Sequence, residues 1–270
     1  MADQSQTGEQ VRRAARQRLE SLARSGLDFL PKPKPQTVVV HAEIASPVVE
    51  AAAVEPAPVV MEQTMPRPKK SLTSDKPVER AAALEVIADK VSKCTRCPVL
   101  VANRTKTVFG VGNPMSKVVF FGEAPGADED KTGEPFVGRA GQLLNKIIEA
   151  CTWKREDIYI MNVVKCRPPE NRKPEDDEVE NCSEYRQYQF DIIRPQYIVC
   201  LGATAAQALL GKQWSIGKLR GKLHDYNGMK VLATYHPAYL LRNPDAKRDV
   251  WEDMQILLKD MGVVLPKKGA

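Results

Sequence analysis

Four short apolar runs, separated by helix-length amphipathic segments, constrain this chain more than any other feature. The runs are residues 117–122 (KVVFFG), 158–164 (IYIMNVV), 197–202 (YIVCLG) and 230–235 (KVLATY). Helical patterns cover residues 139–150, 174–193, 204–210 and 245–261, and ERAAALEVIADKVSKC reads as a further helix running into Cys94. Val- and Ile-rich strands that alternate with helices predict a parallel sheet covered on both faces. In such sheets ligands sit beyond the carboxyl ends of the strands. The residues after each run are therefore the first place to look for chemistry.

The pattern does not reach the beginning of the chain. Of the aromatic residues only Phe29 precedes position 109, and residues 31–70 hold eight prolines, no glycine and no aromatic residue. Such a stretch lacks the large apolar side chains that offset ordering entropy. The reading is a short basic amphipathic helix over residues 1–30, a Pro-rich disordered linker over 31–77, and one folded domain over 78–265. With arginines around Val11, Ala15, Leu19 and Leu22, the first segment reads as a solvated helix on a flexible arm or as a phosphate or partner contact.

The first run leads into GEAPGADEDKTGEPFVGRAGQLL, with Gly122, Gly126, Gly133, Gly138 and Gly141 close together. Glycines let backbone approach a ligand, but neither a Walker loop nor GxGxxG is present. Glu123, Asp128, Glu129 and Asp130 offer carboxylates there, either solvated or placed as a base or shape-setting group. The second strand ends in Asn162, which reads as a turn cap or, because its amide pairs a donor with an acceptor, as a group suited to an amide-like ligand edge. The third enters a helix at Gly202. The fourth ends in Thr234, Tyr235, His236 and Pro237, followed by AYLLR. Only three histidines exist in the chain, and His236 stands where chemistry is expected. Leu240 and Leu241 read as core or as a wedge entering a base stack.

Six cysteines in 270 residues are too sparse for a secreted disulfide scaffold. Cys94 and Cys97 form C-T-R-C-P, and Cys166 and Cys182 are separated by 15 residues. Two pairs from distant segments make a four-thiolate site, and spacing alone leaves open zinc, an iron–sulfur cluster or a reversible Cys94–Cys97 disulfide. Cys151 and Cys200 fall in apolar surroundings and read as buried and inert.

Taken together, CTRCPVLVANRTKTVFGVG, VVFFGEAPGADEDKTGEPFVGRAGQLL, IYIMNVVKCRPPENRKP, Cys182, IVCLGATAAQALLG, LRGKLH and ATYHPAYLLRNPDAKRDVWEDM form an ordered set over roughly residues 90–260. That set resembles the family 4 (iron–sulfur) uracil-DNA glycosylases. The resemblance implies a three-layer αβα sandwich with a four-stranded parallel sheet and a 4Fe–4S cluster on Cys94, Cys97, Cys166 and Cys182. It also implies that His236 contacts the developing oxyanion, that Asn162 reads the uracil N3–H and O4 edge, and that Phe136 stacks on the flipped base. Gly122, Glu123 and Ala124 would line the base pocket, while Leu240, Leu241 and Arg242 would contact DNA. Ala124 stands where a related family carries a water-orienting Asp, so Glu123 is the first choice for positioning water. Glu129 is the second, although the resemblance places it near uracil C5, where it would exclude thymine.

The resulting expectation is a hydrolase that releases uracil from single- or double-stranded DNA and leaves an abasic site. Two rivals are a non-catalytic, metal-stapled nucleic-acid-binding protein and a covalent uracil-DNA trap. The trap carries GEQPG and a KRRIH-type loop, whereas this chain has GEAPG and no such loop. A net charge of +6 is compatible with a nucleic-acid partner. No apolar run approaches the length of a membrane span, and no signal peptide is legible, so a cytoplasmic monomer with no membrane partner is expected.

Overall fold

The computed structural model describes residues 75–264. The basic helix expected over residues 1–30 and almost all of the linker expected over 31–77 lie outside the described residues.

Among those residues, the chain opens with helix α1 (Pro77–Ser92) and the short α2 (Pro98–Asn103), both with proline in the first turn, where its missing N–H costs nothing. The first strands are β1 (Val111–Gly112) and β2 (Val118–Gly122), followed by α3 (Ala127–Thr132) and α4 (Arg139–Ala150). Strand β3 (Tyr159–Asn162) leads to α5 (Asp176–Asn181) and α6 (Ser183–Ile193), then β4 (Tyr197–Leu201), α7 (Ala203–Leu210) and α8 (Ile216–Leu219). Strands β5 (Leu223–Tyr226) and β6 (Met229–Thr234) precede α9 (Pro237–Arg242) and the long α10 (Lys247–Asp260).

The strand order is β1-β3-β2-β4-β6-β5. The inner four strands, β3-β2-β4-β6, are parallel and coincide with the four apolar runs. The sheet nevertheless has six strands, which corrects the expected four. Both additional strands are antiparallel edges without an apolar run. β1 is two residues long, and β5 reads LHDY, a partly exposed polar segment.

The pleat explains the three layers, since alternate residues of each strand face opposite ways. Val119, Phe121, Met161, Ile198, Cys200 and Val231 pack with Leu84, Ile87 and Val91 of α1 and with α6. Val118, Phe120, Ile160, Val199 and Leu232 pack on the other face with Leu144 and Ile148 of α4 and Met254 and Leu257 of α10. Phe120 and Phe121 are both fully buried, each stabilising the fold by about 1.5–3 kcal/mol through its transfer from water. The helix expected over 174–193 divides at Cys182, the junction of α5 and α6. Helices α2, α3 and α9 have six residues each, too few for periodicity to reveal them.

Candidate active site

Sheet register gathers the functional residues. Gly122 pairs with Asn162 across β2 and β3, and Leu201 pairs with Thr234 across β4 and β6. The Gly202 N–H then donates to the Thr234 carbonyl at 2.8 Å. Connections leave β2 and β4 in opposite directions, so a crevice opens between their carboxyl ends. It is a cleft of about 490 Å³ whose walls include Glu123, Glu129, Phe136, Asn162, His236 and Arg242. Gly126 and Ala124 complete the wall after β2. A groove of similar size at Trp214, Lys218 and His224 draws on no parallel strand end.

Asn162 closes β3 and is 2% exposed. Its side-chain Oδ1 is buried without a hydrogen-bond partner. An unsatisfied buried acceptor costs about 1–3 kcal/mol, and in a cleft wall that cost is recovered when a ligand donor arrives. Gly122 leaves room for this arrangement. A Cβ there would collide with Asn162 Oδ1 and approach Phe136 Cζ to 2.6 Å. Phe136 itself is buried with φ +54°, a left-handed conformation uncommon for a bulky residue. A Cβ on Gly141 would collide with the Phe136 carbonyl, so the glycines of this loop are what allow the ring its place.

His236 is the N-cap of α9, and its Nδ1 accepts a hydrogen bond from the Ala238 N–H at 3.1 Å. Burial lowers its pKa to about 4, with the nearby Arg242 charge acting in the same direction and Glu129 opposing. The imidazole is therefore neutral at pH 7. Because Nδ1 accepts, the proton sits on Nε2. The ring lies 5.5 Å from that of Phe136, centroid to centroid.

The carboxylates expected near β2 divide into distinct roles. Glu123 Oε2 accepts from the Thr204 hydroxyl at 2.5 Å, a bond that spans the crevice between β2 and β4. Glu129 Oε1 accepts from the Val137 and Gly138 amides, and Oε2 accepts from the Gly126 amide. Its two oxygens are thereby committed to shaping the Gly-rich loop, which suits an excluding wall better than proton transfer. Asp130 is buried and anchors the Thr105 and Lys106 amides. Leu240 is 1% exposed and packs in the core with Phe136 and Leu144, the first of the two readings its sequence context offers. Leu241 is exposed at 39%, and Arg242 is exposed beside it.

Three further residues at the cleft or bonded to its wall, Tyr239, Arg172 and Thr204, carry little signal in the sequence. Tyr239 lies at the cleft, half-exposed, its ring 5.0 Å from that of Tyr235. Arg172 lies on the cleft wall formed by the loop after Cys166 and pairs with Glu178 at 2.6 Å. Thr204 was hidden in a stretch, LGATAAQALLG, that reads as ordinary helix. For Tyr239 and Arg172 the signal was proximity to His236 and to Cys166 within their motifs.

Cys94, Cys97, Cys166 and Cys182 line a second, enclosed cavity together with Arg104, Lys165 and Asn181. Arg104 donates to Cys166 Sγ at 3.0 Å, and Asn181 approaches Cys97 Sγ at 3.7 Å. Burial raises Cys97, Cys166 and Cys182, the last to about 11. For Cys94, burial is outweighed by hydrogen bonds that include those of the Arg96 backbone and Tyr185, and its pKa is lowered. Among the described residues, no three histidine, cysteine or carboxylate side chains are grouped to hold a single metal ion. Four thiols around one cavity, flanked by cationic side chains, do fit a multi-iron group in which each thiolate serves a different iron. Cys151 and Cys200 are buried elsewhere, as expected.

The description "Uracil DNA glycosylase superfamily" matches residues 109–255. A type-4 uracil-DNA glycosylase of Thermotoga maritima is 49% identical over 180 residues, covering 65% of this chain and 93% of that protein. The type-4 enzyme of Archaeoglobus fulgidus is 41% identical over 196 residues, covering 69% and 95% respectively. A type-5 uracil-DNA glycosylase of Pyrobaculum aerophilum is more distant, at 30% identity over 185 residues, covering 56% and 81%. The chain belongs to the uracil-DNA glycosylase superfamily and, within it, to the type-4 enzymes.

Proposed function

We propose that this protein excises uracil from DNA by hydrolysing the N-glycosidic bond, the first step of a base-excision repair. The observation that carries the reading is the buried, unpartnered Oδ1 of Asn162 in the cleft that also holds a neutral His236. The target nucleotide leaves the stack to reach such a pocket. Asn162 Oδ1 accepts the uracil N3–H while its amide N–H donates to O4. Cytosine presents the opposite pattern and is rejected. Phe136 stacks on the base, and Glu129 with the Gly126 loop bounds the space where a thymine methyl would sit.

As the C1′–N1 bond breaks, its electron pair leaves with uracil, and negative charge grows on the base oxygen. His236 donates Nε2–H to that oxygen, a contact that strengthens as the charge develops. Water adds to C1′ on the side facing Glu123. With Oε2 engaged by Thr204, Oε1 orients the water, and the water proton ends on the departing base. The products are uracil and an abasic site. Tyr239 and Arg242 line the cleft, and with the exposed Leu241 between them in sequence they contact the flanking strand.

Cys94, Cys97, Cys166 and Cys182 are the residues that would hold a 4Fe–4S cluster. When bound, it supplies four covalent links that tie α1, α2, the loop after β3 and the α5–α6 junction together. The protein's own residues perform the chemistry.

Uracil release from a labelled oligonucleotide tests this reading under single-turnover conditions. Asn162→Ala should lower uracil excision at least tenfold while leaving binding to an abasic oligonucleotide intact. Release by Asn162→Ala at the wild-type rate would reject it.

A further inference from the structure

Lys165 is 1% exposed and stands between the two cavities. It precedes Cys166 in the chain and lines the cysteine cavity. At the end of its side chain, Nζ donates to the main-chain carbonyl of Asn162 at 2.8 Å and lies 5.9 Å from the centre of the Phe109 ring. Its own carbonyl accepts from Val108 at 2.8 Å, fixing the residue at both ends.

Packing does not account for a lysine here. A buried ammonium is costly unless it is compensated, and a methionine would fill the same space. The compensation it has includes a hydrogen bond to the carbonyl of the residue that reads the base. The amides of Val163 and Val164 bind back to Gly122 and Glu123, so the turn after β3 is pinned on its N–H side by β2. On its carbonyl side the Asn162 peptide is held by Lys165 Nζ. At this burial no water competes for that carbonyl, so the bond is held more firmly than one at the surface. It orients the peptide from which the Asn162 side chain projects.

We propose that Lys165 is a positioning residue for uracil recognition: by tying the Asn162 carbonyl to the wall of the cysteine cavity, it sets the orientation of the base-reading amide. The proposal rests on Asn162 being that reader. It separates Lys165 from a role in balancing thiolate charge, because the feature it requires is a hydrogen-bond donor rather than a positive charge.

The test uses the full chain and the variants K165M, K165Q and N162A. The readouts are the Kd for free uracil, the KM and kcat on a uracil duplex, and the visible absorbance per chain. A further readout is the 15N–1H signal of the Asn162 side-chain amide. K165M removes the donor and should weaken free uracil binding and raise KM by about tenfold or more, the scale of a small misplacement. Its Asn162 amide signal should shift, while kcat changes less. K165Q, neutral but still a donor, should restore most of the uracil affinity. If K165Q is as defective as K165M, positive charge is what matters and the proposal is overturned. Wild-type uracil affinity in K165M overturns it as well. Loss of visible absorbance in both variants assigns Lys165 to the cysteine site and overturns it too. Wild-type uracil affinity in N162A would instead overturn the reading of Asn162 beneath it, which the N162A arm reports separately.

Discussion

A single hydrogen bond decides what His236 can do. Because Nδ1 accepts from the Ala238 amide, a neutral ring carries its proton on Nε2, and burial keeps it neutral. His236→Ala should therefore lower the single-turnover excision rate by roughly 10²–10³-fold, the scale for one oxyanion donor. Abasic DNA, which lacks the base, should bind as before. The same depressed pKa has a consequence for stability. The native ring titrates near 4 against 6.5 for an unperturbed histidine, so between these values the unfolded chain binds more protons. The contribution is fully present above about pH 6.5 and is lost as pH falls toward 4. Because the ring keeps some solvent contact, the loss between pH 7 and pH 5 should be on the order of 1–2 kcal/mol. Urea unfolding at the two pH values, compared with His236→Ala, isolates that part. Excision by the native enzyme should show no inflection near pH 6.5 from this group.

At the scale of elements, the site is a product of strand endings brought into register, and small residues make the register usable. Gly122→Ala places a methyl group against Asn162 Oδ1 and the Phe136 ring. Since the flanking strand is fully buried, the clash cannot be relieved outward, and excision should fall at least tenfold with KM rising before the fold is lost. Steady-state kinetics beside a thermal melt would check this order of events. The parallel strands were legible because burial on both faces leaves uninterrupted Val, Ile and Phe. Asn162 and His236 were legible because polar groups stand at the ends of such runs. Edges and short helices were not: β1 and β5 carry no apolar run, and α9 is too short for a period. Within HPAYLLR nothing separates the two leucines, and only the turn of α9 sends Leu240 into the core and Leu241 outward. Glu129 looked like one carboxylate among four until its backbone partners set it apart.

Across the whole molecule, the two cavities share one framework. Cys94 and Cys97 lie between α1 and α2, Cys166 opens the loop that reaches the cleft at Pro168 and Arg172, and Cys182 sits where α5 meets α6. Burial raises three of the four thiols, so a metal group bound there would have to displace their protons. Joining segments far apart in sequence also removes entropy from the unfolded chain. Cys94→Ala should therefore lose iron, visible absorbance and several degrees of Tm, and its loop at 167–172 should become a preferred site of proteolysis. Cys151→Ala, altering a buried thiol outside that cavity, should keep its iron. Metal analysis of protein made with ample iron should find about four irons per chain in the wild type. One zinc and no iron would reject the cluster assignment while leaving the cleft chemistry standing, because none of its steps runs through the cysteines.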